Sequence, residues 1–246
     1  MESYRLEGQT FVIDDYDRKP AFSSFLPGLA GVKGIPLWTF YTNRGQGMNS
    51  FGIDNKGNAI MEFNSANTAF ENTQVKGFRT FLKIDGEYYE PFFTYEKEAK
   101  RQMRMNKNSF KIIETNEKYG IEVTVNYYVL PNESIGALVR QVSVKNIGDS
   151  AKEVQVIDGL PKIITYGIAN GEFKEMSNLF KSWADIRNLE NKVPYYTLRA
   201  STKDSAEVSD VEGGYYYLTV RDGKLQDVIY DVDTVFGYDL SLMTPV

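Results

Sequence analysis

Alternation of apolar and polar residues with a period of two is the feature that most limits what this chain can fold into. It is clearest at 121–129, where apolar residues at the odd positions alternate with Glu122, Thr124 and Asn126. Successive side chains of a strand point to opposite faces, so the pattern predicts a strand with one buried and one solvated face. Turn residues separate such runs at intervals of about 8–12 positions. Three of these turns predict hairpins, because Gly and Asx residues tolerate positive φ: Asp54-Asn55-Lys56-Gly57, Asp85-Gly86 and Asp222-Gly223.

The number of predicted strands points to two stacked sheets. The turn spacing gives on the order of a dozen strands, which is too many for one open sheet. The chain has 246 residues, and β-sandwiches of about 200–250 residues commonly form one domain. We therefore predict a mainly β fold, a large antiparallel two-sheet β-sandwich that forms a single domain over residues 1–246.

One segment has a different periodicity. Between residues 172 and 190 the apolar residues recur at spacings of three and four, which is typical of one helical face. They are Phe173, Met176, Leu179, Phe180, Trp183, Ile186 and Leu189. We predict an amphipathic helix near 172–190 that lies across the sandwich with Trp183 in the core; the alternative is a ligand-binding stripe.

The composition excludes several kinds of chemistry. The chain contains no Cys and no His, so thiolate nucleophiles, imidazole bases and zinc sites of the usual kind are ruled out. The regular oxygen-ligand loop of a Ca²⁺ site is also missing, and we predict neither a metal nor a cofactor. No pair of carboxylates is marked out by its spacing as a glycosidase acid and base.

Charge and hydropathy limit the partners. The net charge is −5 and the basic residues are dispersed, which argues against nucleic acid. No run approaches the roughly 18 apolar residues of a membrane span, and the first residues do not resemble a signal peptide. We predict a cytoplasmic protein that does not bind a membrane.

Residues 138–161 give a specific register. With a loop at 148–150, antiparallel partners have numbers that sum to 298, which places Arg140 opposite Asp158 on an otherwise apolar face. Two such charges are tolerable there only if they pair, so the register predicts an Arg140–Asp158 ion pair. Its role is either a structural staple or an anchor for a neighbouring domain or ligand.

The segment NRGQGMNSFGI, residues 43–53, is the main candidate for a binding loop. Gly45 and Gly47 flank Gln46 directly after a predicted buried strand, and such a turn can present backbone N–H groups to an anion or a hydroxyl-rich ligand. The third glycine and the helix of a dinucleotide loop are missing. From the residues alone, this is either a strand-ending turn or a loop that contacts a sugar or another domain. Exposed tyrosines could also stack on sugars, although adjacent strand residues such as Tyr88 and Tyr89 point to opposite faces.

Several segments together resemble a known enzyme family. Residues 11–53, GFRTFLKI at 77–84, residues 139–168, KEMSNLFKSWADIRN and GGYYYLT are similar to the amino-terminal region of bacterial inverting glycoside phosphorylases. That family is related to cellobiose phosphorylase, and the greatest similarity is to the enzymes that act on β-1,3-glucan oligosaccharides. The resemblance extends over essentially the whole chain.

The resemblance implies that the β-sandwich and the catalytic centre belong to different domains of the enzyme. It also implies that the chain is the amino-terminal fragment of a longer, dimeric enzyme. Its fold would be a galactose-mutarotase-like β-sandwich, and catalysis would take place in a carboxy-terminal α/α-barrel that is absent here. That barrel would supply the general acid and the site for inorganic phosphate, the co-substrate, so this chain alone is expected to be inactive and to contain no catalytic residue. Its sugar-contacting candidates would be Asn43, Arg44 and Gln46, which lie in the matching Gly-x-Gly turn. The partners implied are the barrel domain, an oligosaccharide and a second subunit.

Two alternatives belong to other functional classes. A free-standing carbohydrate-binding β-sandwich module would need several exposed coplanar aromatic rings. A mutarotase-like enzyme is disfavoured because the chain has no His.

Overall fold

The structure, a computed structural model, describes residues 3–26, 28–93, 98–202 and 206–246. The described part of the chain is mainly β, with several antiparallel sheets and few helices, as the alternation predicts. It divides into two compact units. The first unit contains Met1–Asp54 and Phe63–Pro161, and the second contains Asn55–Glu62 and Lys162–Val246.

The strands are β1 (Tyr4–Glu7), β2 (Thr10–Asp14), β3 (Ser23–Leu26), β4 (Leu29–Ala30), β5 (Ile35–Thr42), β6 (Met48–Ile53), β7 (Ala59–Met61), β8 (Arg79–Ile84), β9 (Glu87–Tyr89), β10 (Lys100–Met105), β11 (Ser109–Asn116), β12 (Ile121–Val129), β13 (Leu138–Asn146), β14 (Val154–Gly159), β15 (Ala184–Arg187), β16 (Tyr195–Leu198), β17 (Tyr215–Tyr216), β18 (Val220–Arg221) and β19 (Lys224–Leu225). The α-helices are α1 (Ala66–Lys76), α2 (Asn170–Met176) and α3 (Val232–Phe236). Short 3₁₀ helices span Tyr16–Arg18, Lys56–Asn58, Ser177–Ser182 and Leu189–Asn191.

A six-stranded antiparallel sheet is the largest element of the first unit, in the order β1-β2-β10-β11-β12-β13. Strand β12 confirms the predicted alternation, because its odd-numbered residues are buried and its even-numbered residues are partly exposed. The first unit also contains the sheet β14-β8-β9 and the strands β3, β5 and β6, which lie side by side, with β4 paired to the start of β5.

Two of the predicted hairpin turns join paired antiparallel strands. Asp85-Gly86 connects β8 to β9, and Asp222-Gly223 connects β18 to β19. Both residues of each turn have positive φ, which is the conformation that Asx-Gly sequences favour in two-residue hairpins.

The register predicted for residues 138–161 is wrong. Strand β13 pairs with β12, and β14 pairs with β8 in a different sheet. The connection between β13 and β14 runs from residue 147 to 153, and a tight two-residue turn that would enforce a hairpin is therefore absent from it. Instead, Asp85 and Glu153 exchange two hydrogen bonds of 2.9 Å, which directs β14 onto β8.

The second unit contains the sheet β15-β16-β17, the hairpin β18-β19, β7 and the helices α2 and α3. Its helical segment is shorter than predicted, because α2 and the following 3₁₀ helix end at Ser182 and residues 184–187 form β15. Pairing of β15 with β16 overrides the helical periodicity in this part of the chain. Trp183 is 38% exposed, so the expectation that it lies in the core is wrong.

Helix α1 has no counterpart in the sequence predictions. Its only buried residues are Ala69 and Thr73, so its sequence lacks the broad apolar stripe that identifies a packed helix. Among the described residues, the helices are all too short or too polar to cross a membrane.

Aromatic rings form the centre of the first unit. Phe110 of β11 stacks between Tyr41 of β5 and Tyr127 of β12, at centroid distances of 4.4 and 5.7 Å. Gly47 lies directly against this stack, since a Cβ atom there would approach the Phe110 ring to 2.5 Å. The turn between β5 and β6 is therefore fitted to the core by the absence of a side chain at position 47.

Replacement of Gly47 by Ala should destabilise the first unit more than the same replacement of Gly86. Both glycines have φ near +90°, at 83° and 90°, but a Cβ at Gly86 has no atom within 4 Å. We expect Gly86→Ala to reduce the free energy of unfolding by about 1–2 kcal/mol from backbone strain alone. Gly47→Ala should reduce the free energy of unfolding by roughly 1–3 kcal/mol more than Gly86→Ala, because the added methyl group overpacks the core.

Urea denaturation followed by Trp38 fluorescence in a Trp183→Phe background would measure this difference in the first unit. Equal losses of stability in the two variants would contradict the fit of Gly47 against Phe110.

Candidate functional site

The turn between β5 and β6 contains the three residues predicted to contact a sugar. Its backbone closes on itself: the Thr42 N–H donates to the Gly47 carbonyl at 2.8 Å, and the Gly47 N–H donates to the Arg44 carbonyl at 2.9 Å. Gly45 and Gly47 have φ values of 47° and 83°, which favour glycine. The Gly47 N–H is thus used within the turn rather than offered to a ligand.

Asn43 is fully buried and ties a neighbouring segment to the turn. Its Nδ2 donates to the carbonyls of Tyr16, Lys19 and Pro20 at 2.9, 3.3 and 3.1 Å. Its Oδ1 accepts from the Phe22 N–H at 3.0 Å, and its own N–H donates to the Phe22 carbonyl at 3.2 Å. The side chain of Asn43 therefore positions residues 16–22 and has no hydrogen-bonding capacity directed at solvent.

Gln46 is buried and joins the turn to three further strands. Its Nε2 donates to Thr80 Oγ1 of β8 at 2.9 Å, and its Oε1 accepts from Arg140 Nη2 of β13. Its carbonyl accepts from the hydroxyl of Tyr127 at 3.0 Å. Gln46 is therefore a connecting residue within the first unit.

The ion pair of Arg140 and Asp158 is present, although the two strands that carry it do not pair with each other. Nη1 and Nη2 of Arg140 lie 2.5 and 2.9 Å from Oδ2 and Oδ1 of Asp158, a bidentate geometry. Thr80 Oγ1 also donates to Asp158 Oδ1, at 2.6 Å, and the Arg140 guanidinium lies 4.9 Å from the centre of the Phe78 ring. The Arg140 side chain is 9% exposed and that of Asp158 is 32% exposed, so only the carboxylate end of the network reaches solvent.

Burial and charge set the protonation states in this network. Burial raises the pKa of Tyr127 to about 12. Burial alone would lower the pKa of Arg140, but the neighbouring Tyr127 and Asp158 outweigh it and the pKa is raised. Arg140 and Tyr127 thus keep one protonation state near neutral pH, which suits a structural network better than proton transfer.

Arg44 differs from Asn43 and Gln46 because its side chain is partly exposed. Its Nη1 donates to the carbonyls of Asp17 and Asn43 at 3.2 and 2.8 Å, and its guanidinium lies 5.9 Å from the centre of the Phe70 ring. Of the three predicted residues, Arg44 is the one whose side chain is partly exposed.

A second buried polar cluster was not predicted from the sequence. Arg101 and Glu114, each 1% exposed, are cross-strand partners on β10 and β11, with Arg101 Nε 2.6 Å from Glu114 Oε2. Arg101 Nη1 also lies 2.7 Å from Asp17 Oδ2, and Glu114 accepts from the hydroxyl of Tyr89. Burial raises the pKa of Glu114 against the opposing effect of Arg101. The available signal was an Arg on β10 and a Glu on β11, but only the register shows that these two residues meet.

The buried carboxylates of the first unit are held by arginines. Besides Glu114, Glu90 accepts from Nε and Nη2 of Arg79 at 2.7 and 2.8 Å. Across the described residues, the acidic side chains do not form a group of three that could hold a metal ion. These contacts stabilise strands and do not resemble the two facing carboxyl groups of a glycosidase.

An open, aromatic-lined cleft lies in the same unit. It has a volume of about 330 Å³ and is lined by Tyr4, Phe11, Ile13, Phe22, Tyr41 and Met105. Two of its lining residues adjoin the turn, since Tyr41 precedes it on β5 and Phe22 is bonded to Asn43. We refer to these six residues as the aromatic cleft.

Comparison with protein-family models and with curated proteins found no match for this chain.

Loss of the Asp158 carboxylate should destabilise the first unit, because it leaves the Arg140 guanidinium without its charged partner. We expect Asp158→Ala to reduce the free energy of unfolding by roughly 1–3 kcal/mol, below the loss for a fully buried pair because Asp158 is partly solvated. Glu117→Ala, which breaks the exposed Lys100–Glu117 pair, is the matched control and should leave the unfolding midpoint essentially unchanged. Equal effects of the two substitutions in urea denaturation would show that the Asp158 network does not stabilise the fold.

Substitution of Asn43 should disrupt the segment that it holds. Asn43→Ala leaves three carbonyls and one N–H without their partner, for an expected loss of roughly 2–4 kcal/mol. Asn43→Asp should be worse at neutral pH, because its carboxylate would face the carbonyls of Tyr16, Lys19 and Pro20.

The Asp variant should also depend on pH with a defined sign. Burial among carbonyls raises the pKa of the carboxyl in the folded state above its unfolded value of about 4, so the folded protein binds the proton more tightly. Its stability should then be greatest below the unfolded pKa and fall as pH rises through the folded pKa. Thermal unfolding of both variants between pH 4 and 8 is the measurement, and a pH-independent difference between them would contradict the buried setting of position 43.

Proposed function

We propose that this chain is the non-catalytic, amino-terminal β-sandwich domain of a cytoplasmic inverting glycoside phosphorylase that acts on β-glucan oligosaccharides. Its fold would be of the galactose-mutarotase-like kind. The domain shapes the sugar-binding cleft and the dimer interface of the enzyme, while a carboxy-terminal α/α-barrel carries the general acid and binds inorganic phosphate. The family resemblance of the sequence segments supplies the choice of enzyme class.

The observation that carries the proposal is the internal hydrogen bonding of Asn43 and Gln46 in the turn, together with the pairing of buried carboxylates with arginines. Inverting phosphorolysis needs a general acid near the glycosidic oxygen and a site for phosphate. In the first unit, the side chains of Asn43 and Gln46 form internal hydrogen bonds, and Glu90 and Glu114 are bound by arginines. Such groups support a rigid structure and are poorly suited to turnover.

The rigid turn suits a cleft-shaping role because it holds one cation at the surface. Asn43 and Gln46 fix the turn from within, and Arg44 is partly exposed beside them. A guanidinium has five N–H donors in a fixed plane, which can bind sugar hydroxyls or a carbonyl of an adjoining domain. Arg44 is therefore the residue of this turn that we assign to contact with the sugar or with the barrel domain.

Phosphate-dependent release of sugar 1-phosphate is the decisive assay. The product of the complete reading frame should release an α-sugar 1-phosphate from a β-1,3-glucan or β-1,4-glucan oligosaccharide only when phosphate is present, and residues 1–246 alone should release none. In the complete enzyme, Arg44→Ala should raise KM about 3–10-fold with a smaller change in kcat. Lys33→Ala, at an exposed position, is the control and should change neither.

Two results would overturn the proposal: turnover by residues 1–246 alone, or no phosphorolysis by the complete gene product. Oligosaccharide binding by a gene product that lacks any phosphorolysis would indicate a free-standing carbohydrate-binding module instead.

A further inference from the structure

The aromatic cleft presents two exposed, nearly parallel rings. Tyr4 of β1 and Phe11 of β2 are 46% and 41% exposed, their centroids lie 6.3 Å apart, and their planes differ by 16°. Large aromatic side chains on a hairpin would ordinarily bury these faces against a core. Their exposure leaves two aromatic rings accessible on one side of the β1-β2 hairpin.

The base of the cleft is apolar and already packed. Ile13 and Tyr41 are buried, and the Tyr41 hydroxyl donates to Met105 Sδ at 3.1 Å, so that its polar end is used internally. A ligand in the cleft would therefore meet rings and aliphatic groups at its base, and would find polar partners only at the rim.

The rim is positioned by the turn that the sequence singles out. Asn43 binds the carbonyl of Lys19 and both backbone groups of Phe22, which fixes the segment that borders the cleft. Lys19 Nζ lies 5.2 Å from the centre of the Tyr4 ring. This places an ammonium donor over the exposed Tyr4 ring.

The extent of the surface limits the size of its occupant. Arg5, Glu7 and Arg104 alternate with the cleft residues along β1 and β10, so they lie on the opposite face, where they form ion pairs. A stable protein interface buries about 800 Å² on each partner. A cleft of about 330 Å³ is instead at the lower end of the roughly 300–1,000 Å³ found for small-molecule sites.

We propose that the aromatic cleft binds one or two residues of a β-glucan oligosaccharide. The C–H face of a sugar ring stacks on Tyr4 and Phe11, and the Lys19 ammonium donates to a hydroxyl at the rim. A sugar ring suits this site because it combines an apolar face with hydroxyls at its edge, matching an apolar base and a polar rim. The choice of a sugar over another small amphipathic ring rests on the function proposed above.

Binding to the chain itself tests this site independently of phosphorolysis. Calorimetric titration of residues 1–246 with laminaritriose and with cellotriose should give saturable binding with a dissociation constant between micromolar and millimolar. Phe11→Ala should weaken binding about tenfold, because it removes one stacking face. Phe25→Ala is the matched control: Phe25 is 58% exposed in the same unit but packs on Phe40 outside the cleft, and its variant should bind within twofold of the unsubstituted chain.

A second variant tests the site with a substitution that should not affect folding. Lys19→Gln keeps most of the side chain and should weaken binding about threefold while leaving the unfolding temperature unchanged. Absence of saturable binding to either trisaccharide, or equal effects of Phe11→Ala and Phe25→Ala with both proteins folded, would overturn the site. Phosphorolysis by the complete gene product would still stand in that case, so the two failures are distinguishable.

Discussion

A buried charge among β-strands is tolerable only where it is paired, and three arginines meet this requirement in the first unit. Arg79 binds Glu90, Arg101 binds Glu114, and Arg140 binds Asp158. The paired residues are 11, 13 and 18 positions apart in the sequence, and each pair joins different segments of the first unit. An unpaired partner would leave a desolvated charge, so these contacts select one arrangement of the strands over others in which the apolar pattern is equally satisfied.

The same requirement explains why the turn between β5 and β6 is rigid. Gln46 receives a hydrogen bond from Arg140 and donates to Thr80, which in turn donates to Asp158, so that the turn is bonded to β8, β13 and β14 at once. Asn43 extends this fixed framework to residues 16–22. A framework of this kind can hold a surface group such as Arg44 in a constant position, which is the property that a cleft-shaping domain needs.

The sequence pattern marks out several residues of this framework but does not predict what their side chains contact. The ion pair of Arg140 and Asp158 is predicted from a hairpin that does not form. The two residues meet nevertheless, because burying either charge without a partner would cost free energy. Asn43 and Gln46 were expected to contact a ligand, but their side chains turn inward and bond to the chain. A polar residue beside a glycine looks the same in a sequence whether it faces solvent or a buried carbonyl, and that direction depends on the neighbouring strands.

The sequence by itself determined the mainly β character, the alternation of β12 and the two Asx-Gly hairpins, since these follow from side-chain period and from backbone preferences within a few residues. Only the tertiary structure decided that β14 pairs with β8, that residues 184–187 form a strand, and that Asn43 points to the carbonyls of residues 16–20. These outcomes depend on contacts between segments far apart in the chain, whose energies outweigh the small local preferences that a sequence displays.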